Sequence, residues 1–192
     1  MKQKTSWEKE SSWYSKATEG RGHYFHEHLV IPNAIRLLKL GKDSSLLDLA
    51  CGSGVLARAI PKTVPYVGID VSRSLIESAR REDHASLHTY AVADVTKKLP
   101  TDERFSRAAI ILALQNIKDP ELAIENAADH LEGGGILVIV LNHPSFRIPR
   151  QSSWGIDEQN KMQYRKINRY LSPLEIPINM HPGKPDSAIT WS

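Results

Sequence analysis

A single cysteine, Cys51, stands in a chain of 192 residues. One thiol rules out an intrachain disulfide framework and a cysteine-built zinc cluster, so nothing points to secretion and the cytoplasm is the expected compartment. Long apolar runs are missing too. The longest uncharged, mainly apolar stretch, 133–146, is too short and too glycine-rich to cross a bilayer, so no membrane span is expected. Met1-Lys-Gln-Lys-Thr-Ser-Trp-Glu8 lacks the apolar block of a signal peptide. Strong charge of either sign is absent as well: lysine plus arginine exceed aspartate plus glutamate by 25 − 22 = 3, which does not by itself imply nucleic acid. That surplus lies in the tail, where seven basic residues from Arg147 onward face four acidic ones. No internal repeat or low-complexity segment interrupts the chain.

What is present is a repeating pattern. The length suits one domain, and a hydrophobic fraction of 41% suits a globular core. Apolar runs at 46–50, 66–70, 87–92, 108–114 and 136–141 alternate with helical patterns, their starts separated by about the length of a βα unit. Two of the runs are apolar throughout, as strands of a parallel sheet covered on both faces tend to be. Ser72 is placed to cap a helix over 73–81. Asp119-Pro120 opens another, which Gly133-Gly-Gly135 is expected to end. The fold class is therefore α/β, a doubly wound and mostly parallel sheet with helices on both faces.

Three segments follow: an N-terminal helical arm over 1–43 acting as a lid, an α/β core over 44–142, and a tail over 143–192. Within the arm, Ile31, Ala34, Ile35, Leu37 and Leu38 have helical spacing, with Pro32 near the start and Gly41 at the end. Six of the 11 prolines fall between Pro144 and Pro185, which excludes a long helix or a central strand over much of the tail. All four tryptophans (Trp7, Trp13, Trp154, Trp191) lie in the arm or the tail.

The first strand runs into Asp48-Leu-Ala-Cys-Gly-Ser-Gly54, where Gly52 and Gly54 let a ligand approach the backbone as strand turns to helix. Gly52-Ser-Gly-Val-Leu-Ala57 also fits the looser dinucleotide pattern, but Asp48 just before the loop would repel a pyrophosphate and attract an ammonium. Asp70 closes the second strand, where its carboxylate can accept ribose hydroxyls. Asp94 follows the third strand and can accept from an adenine amino group, with Val71, Leu75 and Val95 as apolar faces for the ring. Three acids at three consecutive strand ends suit a cationic ligand bearing ribose and adenine, which is S-adenosylmethionine. Cys51 reads as a small buried filler.

Leu47-Asp-Leu-Ala-Cys-Gly-Ser-Gly54, Gly68-Ile-Asp70 and Ala93-Asp-Val95 resemble, in order and spacing, the cofactor motifs of class I S-adenosylmethionine-dependent methyltransferases. The resemblance covers 46–142. It implies that Ala50, Cys51, Gly52, Ser53 and Gly54 wrap the methionyl end, Ala50 standing where many members have glycine. It also implies that Asp70 holds the ribose and Asp94 the adenine. The segment Gly20-Arg-Gly-His-Tyr-Phe-His26 is similar to the lead-in of small-molecule, quinone-biosynthesis members, which places His23 and Tyr24 over the cofactor.

The ends of the fourth and fifth strands should face the transferred methyl group, so Leu112 and Gln115 join the expected cofactor residues. His143 is the preferred general base because imidazole titrates near neutrality, with Tyr24 as a further catalytic candidate. No metal is expected, since His23, His26 and His28 lack further ligands nearby. The expected activity is methyl transfer to a small-molecule acceptor, with S-adenosylhomocysteine as product and without nucleic acid as partner. The alternatives are a non-catalytic module that binds the same cofactor and acts through a partner, and a dinucleotide oxidoreductase. Family members end with two further strands, for which only 187–191 remains. This implies an incomplete C-terminal sheet edge, a partly irregular tail, and either a homodimer through that edge or an exposed edge near Ile189.

Overall fold

Every residue of Leu46-Leu-Asp-Leu49 is buried, the mark of a strand with neighbours on both sides and layers on both faces. The computed structural model describes residues 24–143, 151–178 and 188–191. Strands β1 (Leu46–Leu49), β2 (Tyr66–Asp70), β3 (His88–Val92), β4 (Phe105–Ile111) and β5 (Leu131–Val140) form one parallel sheet in the order β3-β2-β1-β4-β5. The order reverses between β1 and β4, the position at which such sheets bind ligands. At the opposite end of these two strands, Ser45 and Ser106 are linked reciprocally. The Ser45 N–H donates to Ser106 Oγ at 3.0 Å, and the Ser106 N–H donates to Ser45 Oγ at 3.1 Å.

Alternation along the strands sorts side chains into two cores. Leu46, Tyr66, Tyr90 and Ala109 face a layer made by α1 (Ile31–Leu38), α2 (Val55–Ala59) and α3 (Arg73–Glu82). Leu47, Leu49, Ile69, Ala108 and Ile110 face α4 (Pro120–Asp129) together with Val95 and Leu99 from the connection between β3 and β4. The expected doubly wound α/β sheet is thus present, although the β3–β4 connection carries no helix. Ser72 caps α3, its hydroxyl accepting the Leu75 N–H at 3.3 Å. Pro120 starts α4, while the Asp119 side chain makes no capping bond.

Several boundaries differ from the sequence pattern. Helix α1 ends not at Gly41 but at Lys39, which takes the left-handed conformation with φ 48°. Gly133-Gly-Gly135 does not stop α4, which has already ended at Asp129; the glycines lie inside β5. There, Phe105 pairs with Leu131 and Arg107 with Ile136, so two steps on β4 face five on β5. Gly134, at φ 80°, absorbs part of that bulge. Strand β4 begins earlier than its apolar run and stops at Ile111, because Leu112 turns to φ 53°.

The tail holds more strand than the prolines suggested. Strands β6 (Ser152–Asp157) and β7 (Met162–Ile167) pair antiparallel, as do β8 (Glu175–Ile178) and β9 (Ala188–Trp191). This corrects the expectation of a single strand at 187–191. Pro173 lies between the two ribbons, and Pro177 lies in β8, where a two-stranded ribbon leaves one edge free of ladder bonds. Among the described residues the large sheet stops at five strands, and Ile139 and Leu141 are exposed at its β5 side.

Gly68 in β2 has no room for a side chain. A Cβ there would lie 2.9 Å from Cys51 Sγ and 2.9 Å from both Cε1 and Oη of Tyr66. Gly68→Ala is expected to destabilise the fold by about 1–3 kcal/mol, the usual range for overpacking, read as a lower urea midpoint.

Candidate functional site

The carboxyl ends of four strands surround a cleft of about 320 Å³, a volume within the range of roughly 300–1,000 Å³ typical of small-molecule sites. Ala50 and Gly52 follow β1, Asp70 and Val71 end β2, and Leu75 comes from the first turn of α3. Asp94, Val95, Thr96 and Lys97 follow β3. Across from them stand Leu112, Ala113 and the run Asn116-Ile-Lys-Asp119. A side chamber of about 40 Å³ shares Ala50, Gly52 and Ile111 with the cleft and adds Asp48, Cys51, Ser53 and His26.

The backbone at the switch point is strained. Ala50 after β1 has φ 60° and Leu112 after β4 has φ 53°, so two adjacent strands each end in a left-handed, non-glycine residue. Such residues cost on the order of 1–3 kcal/mol each and concentrate at ligand sites. Here the surroundings hold them. The Cys51 N–H donates to Ile69 O at 3.1 Å, and the Leu112 N–H donates to Val140 O at 2.8 Å. Gln115 Nε2 donates to Leu112 O at 2.8 Å, so Gln115 braces the turn and lines neither cavity.

Asp70, nearly buried, is the hub of the loops. Its Oδ2 accepts the Gly52 N–H at 2.9 Å and its Oδ1 accepts the Ser72 N–H at 2.8 Å. Asp70 thereby lies at the wall of the cleft, held by the backbone of the two turns that flank it. Asp94 divides its work similarly: Oδ1 accepts Thr96 N at 2.9 Å and Thr96 Oγ1 at 2.7 Å, an Asx turn that leaves Oδ2 for a ligand.

Asp48, 2% exposed, accepts from the Tyr66 hydroxyl at 2.7 Å. Burial pushes its pKa up to about 7, opposed by the Tyr66 bond and reinforced by the charge of Asp70. Burial, with Asp48 and Asp70 nearby, also pushes the Cys51 thiol up, which keeps it protonated and unsuited to nucleophilic work. Behind Gly54 lies a second polar cluster, where Asp83 Oδ2 accepts from Tyr90 at 2.5 Å and from His88 Nδ1 at 2.6 Å. Burial alone would raise Asp83, but these two bonds hold it below the ordinary carboxylate value. Gly54 itself lines neither cavity; with φ 76° and Tyr90 Oη 3.1 Å from where its Cβ would be, it serves the close packing of loop on α3 and β3.

The cavities thus gather Asp48, Ala50, Cys51, Gly52, Ser53, Asp70, Val71, Leu75, Asp94, Val95 and Leu112. Tyr24 is 74% exposed, stacks beside His28 at a ring distance of 4.3 Å, and lines neither cavity. His143 is exposed and also lines neither. His23, like Trp7 and Trp13, lies outside the described residues. Thr96, Lys97, Ile117 and Lys118 were not singled out, while Asp119 was read only as a helix start and His26 only within the histidine-rich lead-in. The loop residues could have been inferred from their place after β3 and β4, whereas no spacing rule distinguishes His26 from His23 and His28.

A parallel sheet with a glycine turn at its switch point and acids toward three strand ends is the arrangement on which nucleotide-binding α/β folds are built. Residues 47–139 match the methyltransferase domain family. Curated relatives include a ubiquinone biosynthesis O-methyltransferase of Coxiella burnetii, 28% identical over 128 residues, covering 62% of this chain and 54% of the relative. A demethylmenaquinone methyltransferase of Chlamydia trachomatis is 28% identical over 122 residues, covering 62% and 53%. Among solved structures, an S-adenosylmethionine dependent methyltransferase from Mesorhizobium loti superposes with a TM-score of 0.63 at 26% identity, covering 75% of this chain and 66% of that one. Over the matched core the chain is thus similar to the class I S-adenosylmethionine-dependent methyltransferases. It spans about half the length of the curated relatives it matches.

Because Asp70 anchors two backbone amides, its removal should be felt without any ligand. Asp70→Ala is expected to cost about 1–3 kcal/mol of stability and to speed hydrogen exchange at Gly52 and Ser72, with Asp70→Asn intermediate. Unchanged exchange at both amides would show that the loops are held by other bonds.

Proposed function

We propose that the chain binds S-adenosylmethionine across the cleft and side chamber and transfers its methyl group to a small-molecule acceptor. The observation that carries this reading is the placement of Asp48, Asp70 and Asp94 at three strand ends around one glycine turn. The residues present fit the ligand: Asp94 keeps Oδ2 for an adenine amino group, Val71, Leu75 and Val95 supply apolar walls, Asp70 faces the ribose, and Asp48 faces the chamber. When bound, the sulfonium supplies an already activated methyl group. The protein's part is to fix the direction of attack. His143, beyond the end of β5, has the role of proton acceptor in this reading. The two relatives named for ubiquinone biosynthesis and demethylmenaquinone methylation make quinone-related aromatic compounds the first acceptors to screen. A second copy pairing along the β5 edge, where Ile139 and Leu141 are exposed, would complete the sheet. Calorimetry with S-adenosylmethionine, S-adenosylhomocysteine and NAD tests the ligand class: binding of the first two without the third supports the proposal, and the reverse overturns it.

The raised pKa of Asp48 adds a pH signature. In the empty protein, the stability from its neutral form is complete below the ordinary carboxylate pKa near 4 and fades as pH rises through about 7. An ammonium in the chamber favours the charged form, so binding between pH 6 and 7 should release a proton. Tyr66, Asp70, Cys51 and His26 also face this region, so the wild type is compared with a variant that changes Asp48 alone. S-adenosylhomocysteine titrated in buffers of different ionisation enthalpy is expected to show more proton release with the wild type than with Asp48→Asn. Equal release would remove Asp48 from the ammonium site.

A further inference from the structure

We propose that the β6–β7 ribbon and the turn that follows it dock the protein on an anionic phospholipid surface, with Tyr170 and Leu171 entering the bilayer interface and Arg165, Lys166 and Arg169 meeting lipid phosphates. The proposal does not depend on the cofactor reading above. Packing is the first argument. Every residue of β6 and β7 is exposed or half-buried, and among the described residues the ribbon pairs with no strand of the large sheet. A two-stranded ribbon with neither face covered is marginal in water, so this one calls for a surface to lie on. The apolar side chains it would cover are large: Trp154 is 61% exposed, and Ile156, Met162 and Tyr164 are at least half exposed. Beyond β7, the Asn168 N–H donates to Gln151 O at 2.7 Å and the Ser172 N–H to Arg169 O at 3.1 Å, which closes a tight turn with Tyr170 and Leu171 at its tip. Leu171 is 91% exposed.

Charge is the second argument. Both acids of the ribbon, Asp157 and Glu158, sit at the β6–β7 turn, where the Asp157 carboxylate accepts the backbone N–H groups of Gln159 and Asn160. Between residues 162 and 172 there are three cations, Arg165, Lys166 and Arg169, and no acid. Arg165 is held in place: its guanidinium lies 5.2 Å from the centre of the Trp154 ring and donates to Ser152 Oγ at 2.7 Å. Indole and phenol rings beside cations suit the headgroup layer, and an exposed leucine suits the acyl boundary beneath it. A single-stranded nucleic acid would use the rings and the cations but offers nothing to Ile156, Met162 and Leu171. The contact is with the surface alone, since among the described residues no helix is long and apolar enough to cross a membrane.

The test is co-sedimentation of the full chain with vesicles of phosphatidylcholine, alone or with about one-third phosphatidylglycerol, at about 0.1 M and about 0.5 M salt. Partition onto the anionic vesicles is expected to exceed that onto phosphatidylcholine by roughly tenfold or more and to fall at the higher salt. Leu171→Asp, at a side chain too exposed to affect folding, should weaken partition about tenfold, and so should Arg169→Glu. Lys98→Glu makes the same charge change at an exposed site on the β3–β4 connection and should change partition less than about twofold. Equal binding to both kinds of vesicle, no binding to either, or equal losses for Arg169→Glu and Lys98→Glu would overturn the proposal. So would capture of a single-stranded oligonucleotide in preference to vesicles, which would assign the face to nucleic acid, or a lipid-free dimer that Leu171→Asp dissociates, which would assign it to a second copy.

Discussion

The carboxylate of Asp70 ties the turn after β1 to the turn after β2, and the ligand site depends on that tie. The glycine turn is a poor structure by itself: it passes through positive φ at Ala50, Gly52 and Gly54 and enters a five-residue helix whose N-cap has no side chain to offer. Such a segment needs bonds from outside. Asp70 provides one to Gly52, β2 provides another through Ile69 O to Cys51, and the guanidinium of Arg58 donates to Ser53 O. The same carboxylate fixes the Ser72 amide at the start of α3, so loop, strand and helix share one geometry.

Placing Asp48 beside this hub is electrostatically unfavourable. A nearly buried carboxylate close to another loses hydration and meets like charge, and its one hydrogen bond from Tyr66 does not offset the two effects. A core chosen for stability alone would place an apolar residue here, as β1 does at Leu47 and Leu49. A buried acid that a cation can neutralise makes sense in a binding site, where the electrostatic cost is recovered once the partner arrives.

The sheet and its cleft were largely legible because both follow from local chemistry. Apolar runs spaced by the length of a βα unit mark β1 and β2, and acids at strand ends mark the ligand edge. What escaped depended on contacts between distant segments. Leu112 takes a left-handed turn only because Val140 and Gln115 hold its amide and carbonyl, which moved Gln115 out of the site and Asn116 into it. The glycines at 133–135 read as a helix stop, yet their freedom serves a bulge in β5 that is visible only from its register with β4. In the tail, proline counting missed that a ribbon of two strands tolerates proline better than a central strand does. His26 lines the side chamber, whereas the lead-in motif pointed to His23 and Tyr24.

The central position of β1 also constrains the order in which the chain can assemble. Its neighbours are β2 and β4, and the Ser45–Ser106 link closes a loop of 61 residues. During synthesis β1 emerges early, yet it acquires its second neighbour only after β4 has been made, and the α4 layer over Leu47 and Leu49 comes later still. Loop closure of this length must precede the contacts that reward it, so folding of this sheet is expected to be slow relative to a helical bundle. Until then an apolar strand with a free edge stays exposed, the condition under which partly folded chains associate.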